Sequence, residues 1–234
     1  MTWDLVTPET LLHIIIKNSV RCAKAVLEGG APEMQGLRAY PNCVTQYGFF
    51  PIHQAAEIFS VDMIRLLIRH GALVNLRTIG GEVIKGLLPL HVAVENTCMH
   101  KYLDDNMFLD EFNPDYSKAG ISDVYKLIHL LCLPELKIFM DTTRLIAEHT
   151  DDLVGEICNY IKHGKLLQTA VLLLAAQEHI SKQDGFGDII KFIAEHSSAI
   201  KLNPNGKAGG RGTSQGKLYF VNIVDCSSIV VQGW

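Results

Sequence analysis

The sequence has little charge of either sign and no long hydrophobic run. Charged residues make up 20% of the 234 residues, and 21 basic and 25 acidic side chains give a net charge of -4. This balance excludes a generally basic nucleic-acid binder. The most apolar segment, Leu166 to Ala176, has about half the length of a membrane-spanning helix. The sequence therefore predicts neither a nucleic-acid partner nor a membrane partner.

Signals for export and for disulfide scaffolds are also missing. No positive run followed by an apolar stretch occurs between Met1 and Pro8, so we expect no secretory signal. The six cysteines are scattered, without a C-x-x-C pair. Reduced thiols are typical of intracellular proteins. We therefore expect an intracellular location, in the cytoplasm or the nucleus.

Catalytic signatures are absent as well. The chain contains no P-loop, no G-x-S-x-G and no H-E-x-x-H. The glycine pair Gly185 and Gly187 is better interpreted as a turn than as a phosphate-binding loop. We expect no enzyme activity and no cofactor.

One group of residues has the chemistry of a zinc site without its spacing. The side-chain types suit zinc, and the group comprises Cys98, His100, Asp104 and Asp105, with His129 and Cys132 as further candidates. No two-plus-two arrangement of ligands occurs among them. We therefore predict no metal site and interpret the aspartates as part of a solvated acidic loop.

The chain does contain an internal repeat. Apolar residues make up 48% of the sequence, enough for a sizeable core. Three segments align on a histidine, with spacings of 40 and 38 residues, at His13, His53 and His91. We assign all three histidines a structural role at the start of a helix.

The second segment is the most regular. Gly48 precedes the motif Pro51-Ile52-His53, paired alanines follow, and a second helical pattern ends at His70-Gly71. Proline at the first helical position loses no hydrogen bond. Glycine suits the left-handed position that follows a helix. This pattern resembles the ankyrin repeat.

The resemblance covers residues 5–133 and implies an all-α fold, an ankyrin-repeat solenoid of about three units. The excess over the usual period of about 33 residues falls between the units and predicts lengthened loops. The third unit is interrupted by an insertion at about 97–122, and we place its delayed second helix at Val124 to Leu131. Some stretches also resemble a group of plant ankyrin-repeat proteins of unassigned activity.

The rest of the chain is less regular. We interpret residues 134–202 as a degenerate repeat and helical cap, since the end of a stacked array must be covered. Residues 203–217 are a glycine-rich tether. Residues 218–234 either form a hairpin that docks on the helical body or are an ill-fitting end of the gene model.

Ankyrin arrays bind proteins through their loop tips and the concave face of their inner helices. The resemblance thus implies a non-enzymatic adaptor, a monomer with one protein partner. The predicted contact residues are Gln46, Tyr47, Phe49, Glu57, Arg77, Lys85 and Glu95. Two alternatives remain: a ligand- or metal-responsive regulator that uses the 97–122 insertion, and a fragment of a longer multidomain protein.

Overall fold

A computed structural model describes residues 6–30, 36–81, 85–99, 119–182 and 185–196. These residues form ten α-helices and no strand, which confirms the predicted all-α class. The helices are α1 (Pro8–Ile16), α2 (Val20–Glu28), α3 (Pro51–Glu57), α4 (Val61–Arg69), α5 (Pro89–Cys98), α6 (Ala119–Leu131), α7 (Leu136–Ala147), α8 (Leu153–Lys162), α9 (Leu166–Lys182) and α10 (Gly185–His196). Most of the 97–122 insertion and all of the tether and tail predicted beyond residue 202 lie outside the described residues.

The first helix of each repeat begins at a proline. Pro8, Pro51 and Pro89 open α1, α3 and α5, where the missing N–H would have had no helical partner. The side chain of Thr7 accepts a hydrogen bond from Thr10 N–H and caps α1. At the same position before α3 stands Phe50, which makes no side-chain cap. The hydroxyl is thus missing at Phe50, as expected from the sequence.

The chain divides into two compact units. The first unit contains residues 1–96 and 141–151, and the second contains residues 97–140 and 152–234. Helix α7 contributes residues to both. The sequence-based boundaries at 133 and 202 stay predictions.

In the first unit, α1 packs on α2 and α3, and α4 packs on α2 and α3. Each helix presents one apolar side to its neighbours, and Leu11, Ile15, Ile52, Ile64 and Leu67 are fully buried. Burying such a side chain stabilises the fold by about 1.5–3 kcal/mol. The core of the repeat therefore lies between the paired helices.

The turns between paired helices use left-handed residues. Asn18 and Phe59 have φ values of 50° and 54°, at equivalent places before α2 and α4. Ser60 accepts from Met63 N–H at 3.3 Å and donates to Asn18 Oδ1 at 2.6 Å. One hydroxyl therefore caps α4 and joins the first turn to the second.

Two asparagines 33 residues apart fasten consecutive loops. The Asn42 side chain donates to the Gly71 carbonyl at 2.9 Å and accepts from Leu73 N–H at 2.8 Å. The Asn75 side chain donates to the His149 carbonyl at 3.2 Å and accepts from Asp151 N–H at 3.1 Å. The segment that follows α7 is therefore held to the repeats by the same type of contact.

The second unit is built around α9, the longest described helix with 17 residues. Helix α9 packs on α6, α8 and α10, and α10 packs on α8. Its middle turns are buried all round, with Ala170, Val171 and Leu172 fully inaccessible. The sequence placed the second helix of the third repeat at Val124–Leu131. That segment is helical, as part of α6, and belongs to this second unit.

Candidate finger surface

Two loops that precede the inner helices α3 and α5 project from the repeats. We call residues 45–49 the first finger and residues 77–87 the second finger, of which 82–84 lie outside the described residues. A buried threonine fixes each base. Thr45 N–H donates to the Phe49 carbonyl at 2.9 Å, and Thr78 N–H donates to the Leu87 carbonyl at 2.9 Å.

The threonine hydroxyls complete both bases. Thr45 Oγ1 accepts from Phe49 N–H at 3.3 Å, and Thr78 Oγ1 accepts from Leu87 N–H at 2.9 Å. Thr45 and Thr78 are 33 residues apart, whereas His53 and His91 are 38 apart. The additional residues therefore lie between Thr78 and His91, in the second finger. The lengthened loop that the sequence predicted is at this place.

The two fingers approach each other closely at Gly48. Its φ is +82°, and its carbonyl accepts from Ile79 N–H at 3.1 Å. A Cβ at this position would lie 2.1 Å from Gly80 N. Only glycine avoids both the backbone strain and the clash.

This approach places two exposed apolar side chains on neighbouring fingers. Tyr47 directly precedes Gly48, and Ile79 is the residue bonded to it; both are 64% exposed. The sequence analysis named Tyr47 and missed Ile79. The available signal was a bulky aliphatic residue in a loop, directly before Gly80-Gly81.

Two cations lie on the second finger. The Arg77 guanidinium donates through Nη1 to the Gly86 carbonyl at 2.9 Å, next in sequence to Lys85. Arg77 and Lys85 are exposed, as is Gln46 on the first finger. The hydrogen bond orients the guanidinium and leaves its positive charge intact. Four of the seven predicted contact residues thus occupy the fingers as exposed side chains.

The other three predicted residues lie lower on the repeats. Phe49 is half-buried, and its ring packs edge-on against His53 with 6.4 Å between ring centroids. Glu57 is exposed at the end of α3, where Gln54 Nε2 donates to its carboxylate at 2.6 Å. Glu95 is half-buried on α5. A role for any of the seven in binding stays a prediction.

The inner-helix histidines differ in their partners. His53 Nε2 donates to the Leu87 carbonyl at 2.9 Å, and buried His53 Nδ1 has no partner. Burial lowers the pKa of His53 to about 4, against the opposing effect of the Leu87 carbonyl. His91 Nδ1 instead accepts from Leu88 N–H at 3.2 Å. His13 is exposed, unlike the other two.

The described residues outside the fingers offer little reactive chemistry. Burial raises the pKa of the Cys43 and Cys158 thiols, which disfavours their nucleophilic thiolate forms. No group of three or more His, Cys, Asp or Glu among the described residues is placed to hold a metal ion. His100, Asp104 and Asp105 of the zinc hypothesis are outside that part of the chain. No described helix is long and apolar enough to cross a bilayer.

Comparison with known families identifies the repeat. A family model for the ankyrin repeat matches residues 47–79, from the first finger through α3 and α4 to the second. The chain is an ankyrin-repeat protein. Searches of curated proteins and of solved structures found no match, and nothing supports the narrower resemblance to plant ankyrin-repeat proteins. Ankyrin repeats generally mediate protein–protein interaction.

Proposed function

We propose that this ankyrin-repeat protein is a non-enzymatic adaptor that holds a protein partner on its fingers and the adjoining inner helices. The observation that carries the proposal is the Gly48–Ile79 contact, which keeps Tyr47 and Ile79 together and exposed. Exposed aromatic and arginine side chains are typical anchors of interfaces. A surface fixed before binding also loses little entropy when a partner docks.

The proposal includes a monomer inside the cell, in the cytoplasm or the nucleus. The five described cysteines are free thiols, which supports a reducing compartment. The rest of the predicted contact set, Phe49, Glu57 and Glu95, would form the edge of the interface toward the inner helices.

The test is affinity capture with the full chain, followed by binding measurements on each recovered protein. The double variant Tyr47→Ala/Arg77→Ala should weaken binding at least tenfold, because it removes an aromatic and a cationic anchor. Tyr40→Ala/Arg38→Ala is the matched control, since Tyr40 is 66% exposed and Arg38 is also exposed, away from the finger tips. A partner that binds both double variants as tightly as the wild type contradicts the proposal.

A further inference from the structure

The finger surface is chemically unlike the rest of the chain. The chain carries a net charge of -4. On the described residues of the two fingers, the charged side chains are Arg77 and Lys85, both basic. Glu82 lies outside the described residues. The described part of this surface therefore combines positive charge with the apolar side chains Tyr47 and Ile79.

The hydrogen bonds of the fingers fix this combination. Arg77 reaches back to the Gly86 carbonyl at 2.9 Å, and Lys85 N–H donates to the Gly81 carbonyl at 3.1 Å. Two cations held along one short loop repel each other, and an anionic group bound beside them relieves that repulsion. Arginine also offers several donors to a carboxylate.

Resting on the proposed adaptor function, we propose that the fingers bind a peptide segment in which acidic residues adjoin apolar ones. Acidic side chains pair with Arg77 and Lys85, and the neighbouring apolar residue covers Tyr47 and Ile79. Single-stranded RNA fits less well, since stacking requires aromatic platforms and Ile79 offers none. The net negative charge of the chain also opposes a polyphosphate backbone.

The experiment uses phage-displayed random dodecapeptides selected on the full-length protein. Selection on the wild type should enrich sequences with Asp or Glu next to aromatic or aliphatic residues. Binding of a recovered peptide should weaken at least tenfold on Arg77→Glu/Lys85→Glu and should fall with added salt. Ile79→Ser should weaken it without changing that salt dependence. Arg38→Glu is the control for charge reversal at an exposed site on the same unit.

Enrichment of Lys and Arg, no enrichment, or equal binding to the wild type and the charge-reversed variant overturns the acidic-peptide proposal. Tighter binding of poly(U) than of any selected peptide overturns it in favour of a nucleic-acid ligand. The adaptor proposal fails separately, when a captured partner ignores Tyr47→Ala/Arg77→Ala. A partner sensitive to that double variant, together with a failed peptide selection, retains the adaptor and removes only the acidic partner class.

A second inference concerns the third repeat and rests on different contacts. Residues 62–73 and 141–151 have similar sequences and similar bonds, with an offset of 79 residues. Asp62 pairs with Arg65 at 4.0 Å, and Asp141 pairs with Arg144 at 3.3 Å. His70 Nδ1 donates to the Leu66 carbonyl at 2.9 Å, and His149 Nδ1 to the Leu145 carbonyl at 2.9 Å.

The asparagine contacts agree with this offset. Asn42 fastens the loop that follows α4, and Asn75, one repeat later, fastens the loop that follows α7. We infer that residues 141–147 are the outer helix of the third repeat and that α5 is its inner helix. Residues 99–140, with α6, are then an insertion at the turn between these helices.

Hydrogen exchange on the full chain tests this assignment. Asn75→Ala should speed exchange at residues 141–151, as Asn42→Ala should at the end of α4 and residues 71–73. Each should raise exchange there at least tenfold, and α6 should keep its wild-type rate in both variants. Faster exchange in α6 with residues 141–151 unaffected by Asn75→Ala overturns the assignment and favours α6 as the outer helix.

Discussion

At the scale of single residues, His53 shows how this repeat departs from the family pattern. The family places a threonine at the position of Phe50, where its hydroxyl would bond the histidine. Here the Phe50 ring packs beside the imidazole, with 5.7 Å between centroids, and buried Nδ1 keeps no partner. A buried acceptor without a donor costs about 1–3 kcal/mol. The neutral ring is nevertheless fixed by its Nε2–H bond to Leu87.

His53 should make the stability of the first unit depend on pH. Its pKa falls from 6.5 in the unfolded chain to about 4 when burial disfavours the charged ring. Between these values the unfolded state binds more protons, so stability is fully present above pH 6.5 and decreases toward pH 4. The loss should reach about 3 kcal/mol.

Urea unfolding at a series of pH values measures this loss. His53→Gln keeps an N–H donor for the Leu87 carbonyl and cannot titrate, so the difference between the two proteins isolates the imidazole. A wild type and His53→Gln variant with parallel pH profiles would contradict the assigned shift.

Gly48 is the second residue with a measurable role. Gly48→Ala should destabilise the protein by more than about 2 kcal/mol, because it adds a steric clash with Gly80 to the strain of a positive φ. Gly71→Ala is the matched control: its φ is +87°, and a Cβ there meets nothing within 4 Å. The control should lose only about 1 kcal/mol. Equal losses in chemical denaturation would show that the finger approach is not tight.

At the scale of elements, the fingers combine a constant base with a variable tip. The Thr45 and Thr78 bonds are alike, although the second finger is longer. A hydroxyl at the base satisfies a backbone N–H that the loop itself leaves without a partner. Residues can therefore be added beyond the base without disturbing the following inner helix.

Thr78→Val should destabilise the second finger. It removes the acceptor of Leu87 N–H while keeping the side-chain shape, and an unsatisfied buried donor costs about 1–3 kcal/mol. Thr78→Ser keeps the hydroxyl and should lose less than half as much. The free energy of unfolding of the two variants gives the comparison, and a Thr78→Ser loss equal to that of Thr78→Val would assign the effect to the methyl group.

The elements also show how far the sequence alone could lead. Local signals were sufficient for α3 and α4, because proline, glycine and the histidine motif act within a few residues. The long finger followed from the spacing of His53 and His91. The partner of Asn75 did not, since 74 residues separate it from His149. Ile79 was missed because exposure depends on the neighbouring finger rather than on its own surroundings.

At the scale of the whole molecule, the two compact units should open separately. Stacked repeats are stabilised mainly by their neighbours, and local opening follows such contacts. Ile64 and Leu172 are both fully buried, one in each unit. Ile64→Ala should lower the protection of α3 and α4 against hydrogen exchange, and Leu172→Ala should lower that of α9.

Each substitution should cost about 2–5 kcal/mol in its own unit. Because the variants exchange roles, each is the control for the other. Loss of protection in both units from either substitution would show a single cooperative structure instead. Helix α7, which contributes to both units, is the segment where the two responses should meet.

The Asn75 contact also has a consequence for synthesis of the chain. Asn42 can bond the Gly71 loop soon after it leaves the ribosome, since 29 residues separate them. The carbonyl that Asn75 requires is made 74 residues later. At a synthesis rate of about 5–20 residues per second, that delay is about 4–15 s. The first helical pairs therefore spend several seconds assembled on a growing chain before their last fastening arrives.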